Sequence, residues 1–271
     1  MQNSGDIVFR NTASKKGRTL SVTPQTSTMQ RLHYGRILLD SELLRTSFET
    51  GSREVGLICL SGACEVRAQG ATYSLAQYDA IYIPRGAFVE ISTRGQVDLV
   101  DFEADVDNDY PVQLVRYSEV EKDPTLKFQT GGEGAKRTLN VLIGKNVQAG
   151  RILGGFTRSA PGNWTSWPPH EHAAMLEELY VYYDMPAPAF AIQCVYTKGE
   201  EPEFLGVVRD GDAVCIPRGY HPNVAIPGHA INFVWLMAAH REVDDRKMGV
   251  VNVEPPFAAS GSGLEAATRR A

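Results

Sequence analysis

Residues Tyr78–Ile91 read YDAIYIPRGAFVEI, and Gly211–Ile226 read GDAVCIPRGYHPNVAI. Asp79, Ala80, Ile83, Pro84, Arg85 and Gly86 of the first stretch recur as Asp212, Ala213, Ile216, Pro217, Arg218 and Gly219 of the second. A repeat at such separation marks one supersecondary unit used twice, and it outranks local propensity in deciding the architecture. Each copy is a β-branched run closed by Pro-Arg-Gly, which reads as a strand entering a turn. A weaker match lies upstream, where EVGLICLSG from Glu54 and ELYVYYDM from Glu178 each put an acidic residue at the entrance to a strand, aligning Glu54 with Glu178.

The neighbouring segments follow the same logic. REVGLICLSG, CEVRAQGATYSL and AFVEISTRG are short runs of β-branched and aromatic residues bounded by Gly, Ser or Arg-Gly, the pattern of an all-β barrel or sandwich. Helical character is expected only in a short tract such as GLEAATRR near the carboxyl end. The polar, Gly-rich linker around Gly131–Gly134 divides the chain into two units, residues 1–125 and 126–271. The ends, up to about Arg18 and beyond about Phe257, are expected to be loosely tied and to carry no chemistry.

Composition narrows the class. With 271 residues, 43% hydrophobic and 22% charged, the chain has the make-up of a soluble globular protein and no apolar run of membrane-spanning length. A net charge of −5, with Lys and Arg dispersed, leaves no basic footprint for nucleic acid or an anionic lipid surface. Cys59, Cys194 and Cys215 sit in apolar runs and no CxxC pair occurs, so the cysteines are expected as small buried hydrophobes. The first residues lack the order of a secretory signal, and a reducing cytoplasm is the expected setting.

Chemistry concentrates in NWTSWPPHEHAAMLEELYVYY, Asn163–Tyr183, which places two of the six histidines one residue apart and just ahead of two glutamates. Side chains at i and i+2 of an extended strand share a face, so His170 and His172 can reach one ion together. A carboxylate at the start of the next strand can close a third position, and His221 arrives from IPRGYH of the same unit. Three nitrogens and one oxygen suit a single divalent metal: Zn²⁺, with Mn²⁺, Fe²⁺ or Ni²⁺ as alternatives. Glu178 is taken as the ligand, which leaves Glu177 as a supporting group or general base. The repeat supplies a control, because the first unit has Phe88 where the second has His221, and RTSFETGSR before Glu54 contains no histidine. The first unit is therefore read as metal-free scaffold, with a packing role for Phe88.

Taken together, HxH, a nearby Glu and a later PxGxxH-like element resemble the two cupin motifs, and two copies resemble a bicupin: two double-stranded β-helix (jelly-roll) barrels arising by duplication. More narrowly, GNWTSWPPHEH, LEELYVYYDM, QCVYT, IPRGYHPNV and GEGAKRTLNVLI are similar to the family joining 5-deoxyglucuronate isomerase of inositol catabolism with 4-deoxy-5-hexosulose-uronate ketol-isomerase of pectin breakdown. That resemblance implies a homo-oligomeric aldose–ketose isomerase of a deoxy uronic acid, with a metal on His170, His172, Glu178 and His221. It favours the conversion of 5-deoxy-glucuronate to 5-dehydro-2-deoxy-gluconate, with the pectin branch second. Glu177, Tyr180 and Tyr182 are the candidate proton-transfer groups, of which Glu177 and Tyr182 are preferred. Arg218, Lys136 and Arg137 are candidate partners for the substrate carboxylate. QCVYT departs from the family's QRVYT at Cys194, losing an arginine that could have served there. A non-catalytic sugar-acid sensor and an Fe(II) dioxygenase are the competing readings.

Overall fold

A computed structural model describes residues 7–197 and 201–268. Two large and two small antiparallel sheets dominate it. In the first half, Gln113–Val115, Ala80–Ile83, Arg53–Gly62, Val97–Asp105, His33–Leu39 and Gly17–Val22 are hydrogen-bonded in that order. Facing them is a small sheet ordered Arg45–Glu49, Phe88–Ser92, Cys64–Ala68, Ala71–Leu75. The second half repeats the small sheet's plan as Trp164–Thr165, Asn223–Ala225, Ala191–Val195, Phe204–Val208. Its large sheet runs Val8–Phe9, Ala213–Ile216, Leu176–Tyr182, Asn232–Ala239, Ile152–Ser159, Arg137–Ile143, Lys127–Thr130. No helix among the described residues is long and apolar enough to cross a membrane. Within GLEAATRR, Glu265–Thr268 is helical, and the last residues lie outside those described.

The two large sheets pack against each other over one continuous core, to which Ile58 and Phe102 contribute from the first half and Leu179, Val181 and Leu236 from the second. The approach is close because Phe102 is wedged between glycines of opposite sheets. A Cβ on Gly56 would lie 2.3 Å from the ring and one on Gly154 2.7 Å, well inside van der Waals contact. A separate core of Val55, Leu57, Ile81 and Leu99 lies within the first half.

Three sequence expectations are corrected here. The amino end is not loose: Val8–Phe9 adds an edge strand to the second half's sheet by pairing with Val214 and Ala213, an exchange across the 125/126 division, and Gly17–Val22 is a full strand. The alignment of Glu54 with Glu178 is off by one. Val55 pairs with Ile83 and Glu178 with Ile216; Ile83 and Ile216 are repeat equivalents, so Glu54 matches Glu177 and Val55 matches Glu178. In a strand a one-residue slip exchanges the two faces, so the correction changes which glutamate points where.

Phe88 is the third. It is 58% exposed, whereas His221 at the equivalent position is 1% exposed. The first half has filled its interior differently: Arg18 pairs with both Asp101 and Glu103, Arg53 pairs with Glu103, and the Arg18 guanidinium lies 3.7 Å from the Phe48 ring centroid on the facing sheet. With an ion cluster there, no side chain need turn inward at Phe88.

Candidate metal centre

Three elements deliver the ligand candidates. The short strand His170–Glu171 pairs with Asn252–Val253, near the carboxyl end. Glu178 enters from Leu176–Tyr182, in the middle of the second half's large sheet. His221 follows the Pro-Arg-Gly turn, where Gly219 has φ +91° and a Cβ would meet the Tyr196 carbonyl oxygen at 2.6 Å, so only glycine lets the chain turn there.

Ligand-capable atoms of His172, Glu178 and His221 lie within 4.8 Å of one another, all buried. Glu178 Oε2 is 3.0 Å from His172 Nε2 and 3.1 Å from His221 Nε2, the second without hydrogen-bond geometry, so His221 Nε2 is a buried nitrogen with no hydrogen-bond partner. The His170 ring centroid is 5.0 Å from that of His221.

The orientation of the rings is the informative feature. Nδ1 of His170 lies 2.9 Å from the Pro168 carbonyl oxygen, Nδ1 of His172 3.1 Å from that of Leu176, and Nδ1 of His221 2.8 Å from that of Gly219. A carbonyl only accepts, so each neutral ring carries its proton on Nδ1 and presents a bare lone pair at Nε2. Fixing the tautomer through the far nitrogen is the arrangement that prepares imidazoles for a metal.

The charges agree. Burial opposes the Glu178 carboxylate, but His172 and His221 outweigh it and hold its pKa down at about 2. Burial, reinforced by His221, pulls His170 down to about 3, so it stays neutral. Burial also works against protonated His172, but the contact with Glu178 outweighs it and raises its pKa; a cation in place of that proton would take the same stabilisation. His172, Glu178 and His221 form the compact donor set, with His170 beside it, and one carboxylate with imidazoles turned Nε2-inward is chemistry that fits Zn²⁺ and its neighbours in the first transition row.

The other sequence candidates separate. Glu177 is turned to the opposite face of the strand, where its carboxylate accepts backbone N–H bonds from Gln30, Arg31 and Leu32 at 2.8, 2.6 and 2.5 Å; this removes it as a base at the cluster. Tyr182 donates to Gln193 Oε1 at 2.5 Å and receives a bond from Asn223 Nδ2 at 3.2 Å, a closed wall network. Tyr180 instead lines the cavity that His170 and Glu178 share with Ser166, Met248 and Leu264, and its hydroxyl lies 2.6 Å from Ser166 Oγ. Arg218 is 59% exposed and paired with Glu203. Cys194 lies between inward-facing Gln193 and Val195, so an arginine there would point out of the barrel. The missing QRVYT arginine therefore costs this site nothing.

The roof draws on the tail beyond Phe257, expected to be free of chemistry, through Leu264, and on Met248 ahead of it. Met248 and Leu264 close a cavity of about 40 Å³, and the Phe257 ring centroid lies 5.1 Å from that of Trp167. Nothing local in the sequence signals this role; it comes from distant contacts, the pairing of Asn252–Val253 with His170–Glu171 and the packing of Phe257 on Trp167.

Residues 7–252 match the model of the KduI/IolB family. The chain is 25% identical over 251 residues to 5-deoxy-glucuronate isomerase of Geobacillus thermodenitrificans, covering 86% of this chain and 89% of that protein. It is 27% identical over 209 residues to 4-deoxy-L-threo-5-hexosulose-uronate ketol-isomerase of Escherichia coli, covering 74% and 72%. Among solved structures, an IolB-like protein from Salmonella typhimurium superposes with a TM-score of 0.82 at 22% identity, over 93% of this chain and 98% of that one. A Bacillus subtilis oxalate decarboxylase variant superposes with 0.66 at 11% identity, over 96% and 82%. At these identities the structural likenesses establish a cupin-like β fold.

Proposed function

The chain belongs to the KduI/IolB family, and on that premise we propose that it is a metal-dependent isomerase of a deoxy uronic acid, converting 5-deoxy-glucuronate to 5-dehydro-2-deoxy-gluconate in inositol breakdown. The observation that carries the reading is the set of three histidines whose Nδ1 atoms are all tied to carbonyl oxygens around one buried carboxylate. His170, His172, Glu178 and His221 would hold the ion, with Zn²⁺ the first choice. When bound, such an ion supplies Lewis acidity to a carbonyl and its neighbouring hydroxyl, which is what moving a carbonyl by one carbon requires.

The chain's own residues supply the rest. Burial, with Glu178 nearby, raises the Tyr180 phenol well above its ordinary pKa, so it stays protonated and can donate to oxygen on which negative charge develops. Ser166 holds that hydroxyl in place. Trp235, Met237 and Phe233 line the same cavity and keep water from a reactive intermediate. A cavity of about 40 Å³ suits an ion and a water rather than a six-carbon acid, so on this reading the segment carrying Met248 and Leu264 shifts to admit substrate.

The two halves are read as duplicated barrels, the first a scaffold. What supports this is the common order of the small sheets and the equivalent registers of Val55–Ile83 and Glu178–Ile216. The ketol-isomerase activity is the second reading, favoured by the match to the Escherichia coli enzyme. A proton NMR time course of metal-loaded protein in D₂O under nitrogen, with 5-deoxy-glucuronate in one tube and the pectin-derived ketouronate in another, decides between them. Conversion of the first acid is expected. Silence in both tubes with metal bound would end the isomerase reading, and O₂ consumption in a separate aerated sample would identify a dioxygenase instead.

A further inference from the structure

We infer that Arg137 is the residue that receives the substrate's carboxylate and so makes the site select acids; the inference rests on the isomerase reading above. Arg137 opens the strand Arg137–Ile143 and is 5% exposed. Its guanidinium donates to the carbonyl oxygens of Ala135 at 3.1 Å and Trp167 at 2.7 Å, and no carboxylate forms an ion pair with it among the described residues. A buried cation satisfied only by neutral acceptors is costly, and an anionic ligand is what offsets that cost. Burial draws its pKa down to about 10, the same imbalance expressed as acidity.

Position distinguishes it from other arginines of the interior, and the buried Arg36 is paired with Asp98. Arg151 and Arg246 also donate to carbonyl oxygens, yet neither lines the cavity. Arg137 lines it together with His170, Glu178 and Tyr180, and also lines an adjoining groove with Lys136 and Arg158, so it stands between the metal ligands and a basic approach. Its walls are glycines: a Cβ on Gly131 would lie 2.9 Å from Nη1 and one on Gly263 2.8 Å from Nη2. Side chains are thereby kept off both ends of the fork, which still has unspent N–H donors for a bidentate carboxylate. Arg218, the other candidate, is spent on Glu203 at the surface.

The test is equilibrium binding of D-glucuronate and its neutral amide, D-glucuronamide, to metal-loaded wild type, R137Q, R137K and R218Q, with metal content and turnover of 5-deoxy-glucuronate measured on the same samples. The wild type and R218Q should prefer the acid by about tenfold or more. R137Q should bind acid and amide alike, and R137K should keep part of the preference. Should R137Q fail to fold, R137K answers alone, because an unchanged acid preference there contradicts a bidentate role. A full acid preference in R137Q with metal retained, or no preference in the wild type, overturns the assignment. If the acid preference follows Arg137 while no uronate is turned over, the isomerase reading fails and the carboxylate site stands.

Discussion

Glu54 and Glu177 hold the two halves together by the same bond made in opposite directions. Glu54 accepts the backbone N–H groups of Gly150, Arg151 and Ile152 at 2.8, 2.6 and 2.8 Å, where the chain enters the strand Ile152–Ser159. Glu177 accepts those of Gln30, Arg31 and Leu32, where it enters His33–Leu39. Each carboxylate is buried, at 0% and 1% exposure, and serves donors that the opposite sheet leaves unpaired.

Either glutamate replaced by glutamine brings an NH₂ group against N–H donors and removes the charge. Glu177→Gln should therefore destabilise by about 2–4 kcal/mol, and Glu54→Gln by a similar amount. Urea denaturation checks the loss. Metal stoichiometry of folded Glu177→Gln should match wild type; loss of metal with stability unchanged would return Glu177 to the site.

The same pair shows what was legible in the sequence. The strand-and-turn repeat was readable because Ile-Pro-Arg-Gly punctuates it, and HxH because a period of two is a property of strands. The Glu177-Glu178 pair was not readable, since either residue fits a motif and only strand pairing tells which face each occupies. Tyr180 and Tyr182 share a face, and depth along the strand, set by the Ser166 and Gln193 partners, separates cavity from wall. The roof of Met248 and Leu264 had no local signal, because its burial depends on the distant strand His170–Glu171.

His221→Ala removes the imidazole whose Nε2 has no hydrogen-bond partner, and bound metal and turnover should both fall below detection while the first barrel stays folded. Phe88→Ala at the equivalent position, 58% exposed, should shift stability by less than about 1 kcal/mol. Metal analysis alongside chemical denaturation tests the contrast; a loss of several kcal/mol at Phe88 would mean that its ring is covered in the protein.

Acid should destabilise the metal-free protein in a window that His170 helps to set. Burial and His221 hold its pKa at about 3 in the fold, against 6.5 for the imidazole of an unfolded chain, so as pH falls below 6.5 the unfolded chain takes up a proton that the fold refuses. Stability is thus lost from pH 6.5 downward. His33, also lowered by burial, adds to the slope. His172, raised by Glu178, contributes stability that is complete below 6.5 and lost above it, so it adds no slope here. Thermal melts of stripped protein from pH 6.5 to 5 should fall more steeply for wild type than for His170→Gln. Equal slopes would show that His170 is not held neutral.

Tyr180 and Tyr182 should give opposite phenotypes on losing their hydroxyls. Tyr180→Phe removes a donor from the cavity but leaves Ser166 free to find water, so kcat should drop about 10²-fold with metal content kept and stability nearly unchanged. Tyr182→Phe takes a donor from Gln193 Oε1 and an acceptor from Asn223 Nδ2, leaving the two bonded to each other at 3.1 Å, which costs about 1 kcal/mol, yet it leaves the cavity lining intact, so kcat should stay within about twofold once the protein is folded. Single-turnover kinetics paired with denaturation curves separates the two. If Tyr182→Phe is the one that loses turnover at full metal content, proton transfer passes through the Tyr182, Gln193 and Asn223 network, and the roles given to the two tyrosines must be exchanged.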